Sequence, residues 1–172
     1  MSEKLISNKS FDKERELYLC DGLTVDSCTF DGPTDGESPL KENSNLKVLN
    51  STFALRYSLW HVTHGYLDNC TFTDKCRAGF WYCVDIKMLN SKLLGVKPFR
   101  ECSNVVLENC KMVSEEAFWR NSDIKLVNCA LEGFYPFFEC KNVVLQNFEL
   151  KGKYSFQYVE NAKIIDSKLD TK

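Results

Sequence analysis

The chain has 172 residues, 44% of them hydrophobic and 27% charged, with a formal net charge of −2 and a pI of about 5.8. That composition suffices for one folded domain with a sizeable core and excludes the disordered class. The near-neutral balance gives no general pull toward nucleic acid or an anionic membrane, and no apolar run approaches the roughly 18 residues that span a bilayer.

Residues Met1 to Ser10 contain no apolar h-region, so they do not read as a secretory signal. Nine cysteines without a Cys-x-x-Cys pair then point to free thiols in a reducing, cytoplasmic setting, with no metal and no cofactor. Residues 1–16 are expected to form an N-terminal cap.

From Leu23 onward the chain repeats. Lines opening at Leu23, Leu46, Gly65, Ile86, Val105, Ile124, Val143 and Ala162 are separated by 23, 19, 21, 19, 19, 19 and 19 residues. Each reads apolar, any, apolar, any, Asn or a relative, small, polar, apolar; Ile124-Lys-Leu-Val-Asn-Cys-Ala-Leu131 is one example. Period-two alternation means strand, and so short a strand buries its apolar face only when the next coil stacks on it. The sequence therefore predicts an all-β protein of one domain, a right-handed parallel β-helix of about seven coils of ~19 residues.

Two polar columns mark the corners. Asn50, Asn69, Asn90, Asn109, Asn128, Asn147 and Asp166 form one; Asp85, Asn104, Asp123, Asn142 and Asn161 form the other. Asn and Asp tolerate left-handed backbone and can bond along a stack. The cysteines fall into columns as well. Cys28, Cys70, Cys110 and Cys129 follow the first Asn column, while Cys20, Cys83, Cys102 and Cys140 precede each new coil. Ser, Asn, Val and Phe share these positions, which reads as inward packing. Cys76 alone lies outside them.

The first coil carries an insertion at 31–45, punctuated by Gly and Pro. Its Asp31, Asp35 and Glu37 suit either a paired-carboxylate or cation site, or an ordinary solvated turn or cap.

Functional residues on a solenoid are those that stacking does not require. Leu59, Phe80, Phe99, Phe118, Phe137 and Phe156 form an apolar column expected inside. The next column reads Trp60, Trp81, Arg100, Trp119, Phe138 and Gln157. Strand alternation points it outward, as a platform on which sugar rings stack; a small rotation would instead put the Trp residues in the core. Beside it run His61, Tyr82, Glu101, Arg120, Glu139 and Tyr158, with Arg56 and Arg77 a little upstream. His61 could act as an acid or base near Arg77 or Tyr82, or be an inert surface residue; His64 occupies a turn column. No phosphate-binding Gly loop, nucleophile elbow or zincin motif occurs.

Five stretches carry a family resemblance: Glu14–Tyr18, Phe30–Ser38, Leu55–His61, Cys76–Tyr82 and Gly152–Asn161. Together they resemble the bacterial DUF3737 family, which is similar in architecture to pectate-lyase-like β-helices and whose name records no assigned activity. The resemblance implies the fold and supplies no mechanism. Members of the family are expected to carry further coils, whereas this sequence ends just after Leu169, so its C-terminal coil is expected to be uncapped and to associate end to end as a homodimer.

Three functions follow as expectations. The first is non-catalytic binding of a saccharide or small-molecule ligand on the aromatic, mixed-charge face, by Arg56, Trp60, His61, Arg77, Trp81, Tyr82, Arg100, Glu101, Trp119 and Arg120. The others are a polysaccharide lyase or hydrolase and a structural scaffold. Neither nucleic acid nor membrane is an expected partner.

Overall fold

Alternating apolar residues in Ser103–Glu108 put Val105 and Leu107 wholly inside and leave Asn104 in solvent. Asn109 then adopts φ 55°, and the chain bends into Lys111–Val113 before turning back to begin the next coil at Ser122. In the computed structural model, which describes residues 4–32 and 38–171, this unit stacks in register as a right-handed parallel β-solenoid. The first face is a nine-stranded parallel sheet running from Lys4–Ser7 to Glu160–Ile165, and the second a nine-stranded sheet from Ser10–Phe11 to Lys168–Asp170. Leu59–Trp60 and Phe80–Trp81 pair as a short third sheet. Among the described residues there is no helix.

The solenoid thus has nine rungs where the repeat indicated about seven coils. The difference lies partly at the N-terminus: Lys4–Ser7 pairs with Leu23–Asp26, and Ser10–Phe11 with Thr29–Phe30. Residues expected to cap the first coil therefore build a rung of their own, with Asn8 (φ 54°) at its corner.

Stacking joins like to like. Phe11, Phe30, Phe53 and Phe72 lie face to face on the second side at 5.0, 4.7 and 4.7 Å. The stack then crosses the core, Phe72 meeting Phe80 at 4.9 Å and 59°. Phe80, Phe99, Phe118, Phe137 and Phe156 continue it on the third side at 4.5–5.2 Å. From Phe99 onward these residues turn left-handed (φ 59–60°), so the third sheet gives way to the single bridges Trp81–Arg100 and Arg100–Trp119.

The corners hold by side-chain ladders. Asn69 Nδ2 donates to Asn50 Oδ1 at 2.8 Å, and Asn50 Nδ2 to Asp26 Oδ1 at 2.9 Å. With the Ser27 hydroxyl, the Asn50 bond holds the Asp26 carboxyl below its ordinary value. The second corner column interrupts the first-face strands: Val84 pairs with Ser103 and Ile86 with Val105, while Asp85 and Asn104 between them are left-handed and bonded to each other.

The cysteine columns do more than fill space. At the corner after each Asn, Ser51 Oγ accepts the Cys28 N–H at 3.1 Å and donates to the Leu49 carbonyl at 2.8 Å; Ser91 does the same for Cys70 and Leu89. Thiols of both columns donate to carbonyls of the preceding rung, as Cys70 Sγ does to Val48 at 3.5 Å and, in the column before each new coil, Cys83 Sγ to Leu59 at 3.0 Å and Cys102 Sγ to Phe80 at 3.2 Å. In the same column Asn121 accepts the Cys102 N–H and donates to the Phe99 carbonyl. What Cys, Ser and Asn share here is a short polar group that takes a bend N–H of the preceding rung, as Ser51, Ser91, Asn121 and Cys102 do. The same groups add a second donor to carbonyls such as Leu49, Leu89 and Phe80 that already accept a backbone N–H.

Two outcomes test this core. Phe118, fully buried between two stacked rings, should lose about 3–5 kcal/mol on Phe118→Ala, whereas exposed Lys125→Ala should stay within about 0.5 kcal/mol, read as urea midpoints. Burial pushes the Cys70 and Cys140 thiols from the ordinary 9.0 up to about 11. Unfolded thiols ionise near 9.0, so the folded state's preference for the neutral form costs nothing below that pH and weakens stability as pH climbs toward 11. Stability should therefore fall over that window, and Cys70→Ser should make the fall shallower.

Candidate functional site

Alternation on the third face settles which column is interior. Phe80, Phe99, Phe118 and Phe137 have no exposure, while Trp60, Trp81, Arg100, Trp119 and Phe138 point outward and are half-buried. Trp60 and Trp81 stack at 5.2 Å and 6°, and the Arg100 guanidinium lies 5.0 Å from the Trp81 ring and 5.9 Å from that of Trp119. Each indole N–H donates to a carbonyl one rung on: Trp60 to Ala78 (2.6 Å), Trp81 to Lys97 (2.9 Å), Trp119 to Tyr135 (2.7 Å). These bonds fix the rings with their faces toward one another along the axis. What reaches solvent is a row of ring edges with one cation set into it, not the open platform of indole faces that alternation alone suggested.

The neighbouring column is exposed and left-handed throughout, from His61 (φ 55°) to Tyr158 (φ 57°). The His61 and Tyr82 rings stack at 4.9 Å, and Tyr82 stands edge-on to both Trp60 and Trp81 at 6.0 Å. Arg120 Nε bonds Glu139 at 2.8 Å, and its other end lies 3.8 Å from Glu101. Charges of alternating sign thus stack as the aromatic rings do. Such exposed pairs contribute about 0–1 kcal/mol and serve mainly to hold position.

The structure brings Trp60, His61, Trp81, Tyr82, Arg100, Glu101, Trp119 and Arg120 together on two adjoining columns. Arg56 and Arg77 belong to another column, beyond the turn residues Tyr57 and Ala78, that continues through Val96. His64 Nδ1 bonds Asp85 at 2.8 Å in the first-face corner, as its turn position implied. Asp31 is exposed and makes a loose 3.7 Å pair with Lys75; Asp35 and Glu37 lie outside the described residues. Among the described residues no three His, Cys, Asp or Glu side chains are grouped to hold a metal.

One feature escaped sequence reasoning. A groove of about 700 Å³ runs along the bend that follows the second face. Its floor is Ser114, Gly133 and Gly152, where a Cβ on Gly133 would fall 1.9 Å from the Ser114 carbonyl oxygen and one on Gly152 2.0 Å from that of Gly133. One wall descends through Leu94, Val113, Glu132, Lys151 and Asp170, the other through Val96, Glu115, Phe134 and Lys153. Leu94, Val113 and Phe134 are 40%, 55% and 44% exposed. The signal was present as glycines at Gly95, Gly133 and Gly152, all on one column of the 19-residue repeat.

Known proteins add fold and family. The solenoid is similar to the crystal structure of PfbA, a surface adhesin of Streptococcus pneumoniae, with TM-score 0.61 and 12% identity over 95% of this chain and 60% of that one. A second structure of the same adhesin gives TM-score 0.61 and 10% identity over 98% and 66%. The chain therefore spans about 60–66% of the length of those adhesin chains, and at such identity the likeness is one of fold. No curated protein matches the sequence. Residues 4–172 match the model of a family described as a protein of unknown function, DUF3737, and the chain belongs to that family.

Proposed function

We propose that the chain is a non-catalytic binding solenoid that receives a saccharide along its third face. The observation that carries this reading is the pre-set surface around Tyr82: its ring is exposed, braced edge-on by Trp60 and Trp81, and stacked on His61. Arg100, Glu101 and Arg120 lie one and two rungs further on. Sugars present both C–H patches and hydroxyls, which aromatic edges and planar charged groups respectively suit. Side chains already fixed by indole–carbonyl bonds and ion pairs lose little freedom on binding.

Binding is favoured over hydrolysis because Glu101 and Glu139 share Arg120. A glycosidase needs its two carboxyl groups to face each other across room for sugar and water, and here the Arg120 side chain lies between them, paired with both. The second reading is a structural scaffold. It is favoured by the Trp column itself, whose ring faces and N–H groups are all engaged within the solenoid.

A glycan array followed by titration under intrinsic Trp fluorescence separates the two. The binding reading expects a glycan that perturbs the emission, and Tyr82→Asn, which keeps the left-handed backbone comfortable, should weaken it about tenfold, or 1.4 kcal/mol, at unchanged urea midpoint. An array without hits and an unperturbed emission would leave the scaffold.

A further inference from the structure

The groove over the glycine column lies off the aromatic columns, and its lining sorts by chemistry along the axis. Its N-terminal half offers Leu94, Val96 and Val113, with the Phe134 ring next to them. Glu115 is the one charged group in that half; it is exposed and stands on its wall between Val96 and Phe134. The C-terminal half carries the remaining charges, and these largely answer one another. Lys151 Nζ lies 3.6 Å from Glu132, and Asp170 follows Lys151 in register. Three carboxylates against two ammonium groups leave the lining net negative.

We propose that this groove binds a small hydrophobic ammonium compound, its apolar body laid over Leu94, Val113 and Phe134 and its cationic head at the Glu115 carboxylate. Three arguments fix that chemistry. The floor is backbone: Gly133 and Gly152 put no side chain between the walls, and stacking keeps them glycine because a Cβ at either would collide with the preceding rung's carbonyl. The aliphatic and aromatic wall gains from burial at roughly 25 cal/mol per Å², which a fully polar ligand would forgo. The charge beside it selects the sign: an anionic head would be repelled by Glu115, whereas an ammonium is attracted to that carboxylate. This goes beyond the saccharide reading and uses none of its residues.

Isothermal calorimetry with octylammonium, octanol and octanoate at neutral pH tests the site, since the three share one apolar body and differ in the head. The expected order is ammonium tightest and carboxylate weakest, with ammonium favoured over the alcohol by about fivefold, as an exposed ion pair allows. Glu115→Gln should erase the preference for ammonium over alcohol while leaving alcohol binding unchanged. Phe134→Ala should weaken all three probes. Both side chains are exposed, so each variant is expected to keep its urea midpoint. Equal or tighter binding of octanoate, a preference that survives Glu115→Gln, or no heat from any probe would overturn the proposal.

Discussion

In-register stacking is the constraint on which everything else in this molecule rests. Neighbouring rungs lie about 4.8 Å apart, so each residue's nearest neighbours outside its own coil are the residues one repeat before and after it. A column must therefore be compatible with itself. Aliphatic side chains satisfy this, as do flat rings, which can lie face to face: Phe80 through Phe156 do so without a break. Amides satisfy it too, since each both donates and accepts, as from Asn69 to Asn50. Charges satisfy it only by alternating, which is what Glu101, Arg120 and Glu139 do, and Glu132 with Lys151.

The same constraint explains the tolerance for strained backbone. Left-handed φ costs an ordinary residue roughly 1–2 kcal/mol, yet Lys97, Phe99, Glu101, Asn104 and Asn109 all adopt it within one coil. The Lys97, Glu101 and Asn109 N–H groups each bond a carbonyl of the following rung, and the Phe99 ring is buried between two others. Only the Asn positions announce their conformation through residue type. The others are held by stacking, which supplies partners that local preference does not.

This is why the fold was largely legible and the surfaces only partly so. Period-two alternation in Ile124–Val127, with Asn128 behind it, is a local signal, and its recurrence fixed strands, corners and register together. The rung at Lys4–Phe11 was missed because one short pattern before an irregular stretch gives no recurrence to compare. The crossing of the Phe stack from Phe72 to Phe80 was not visible either, since it depends on where two faces meet across the core. Strand alternation correctly turned the Trp column outward. It carried no information about ring orientation, which the indole–carbonyl bonds determine.

Column logic also separates surface that serves the solenoid from surface left over. Trp60 and Trp81 are exposed at their edges but satisfied by each other, so their position on the outside is no proof of a partner. The wall from Leu94 to Asp170 differs: it begins aliphatic and ends charged, a change that stacking does not ask for. Its opposite wall interrupts Val96 and Phe134 with Glu115, a carboxylate that neither rung neighbour can pair. Where a self-compatible column would have completed itself and this one does not, the missing complement is sought outside the chain. In a fold built by matching each rung to the next, the mismatched column is the informative one.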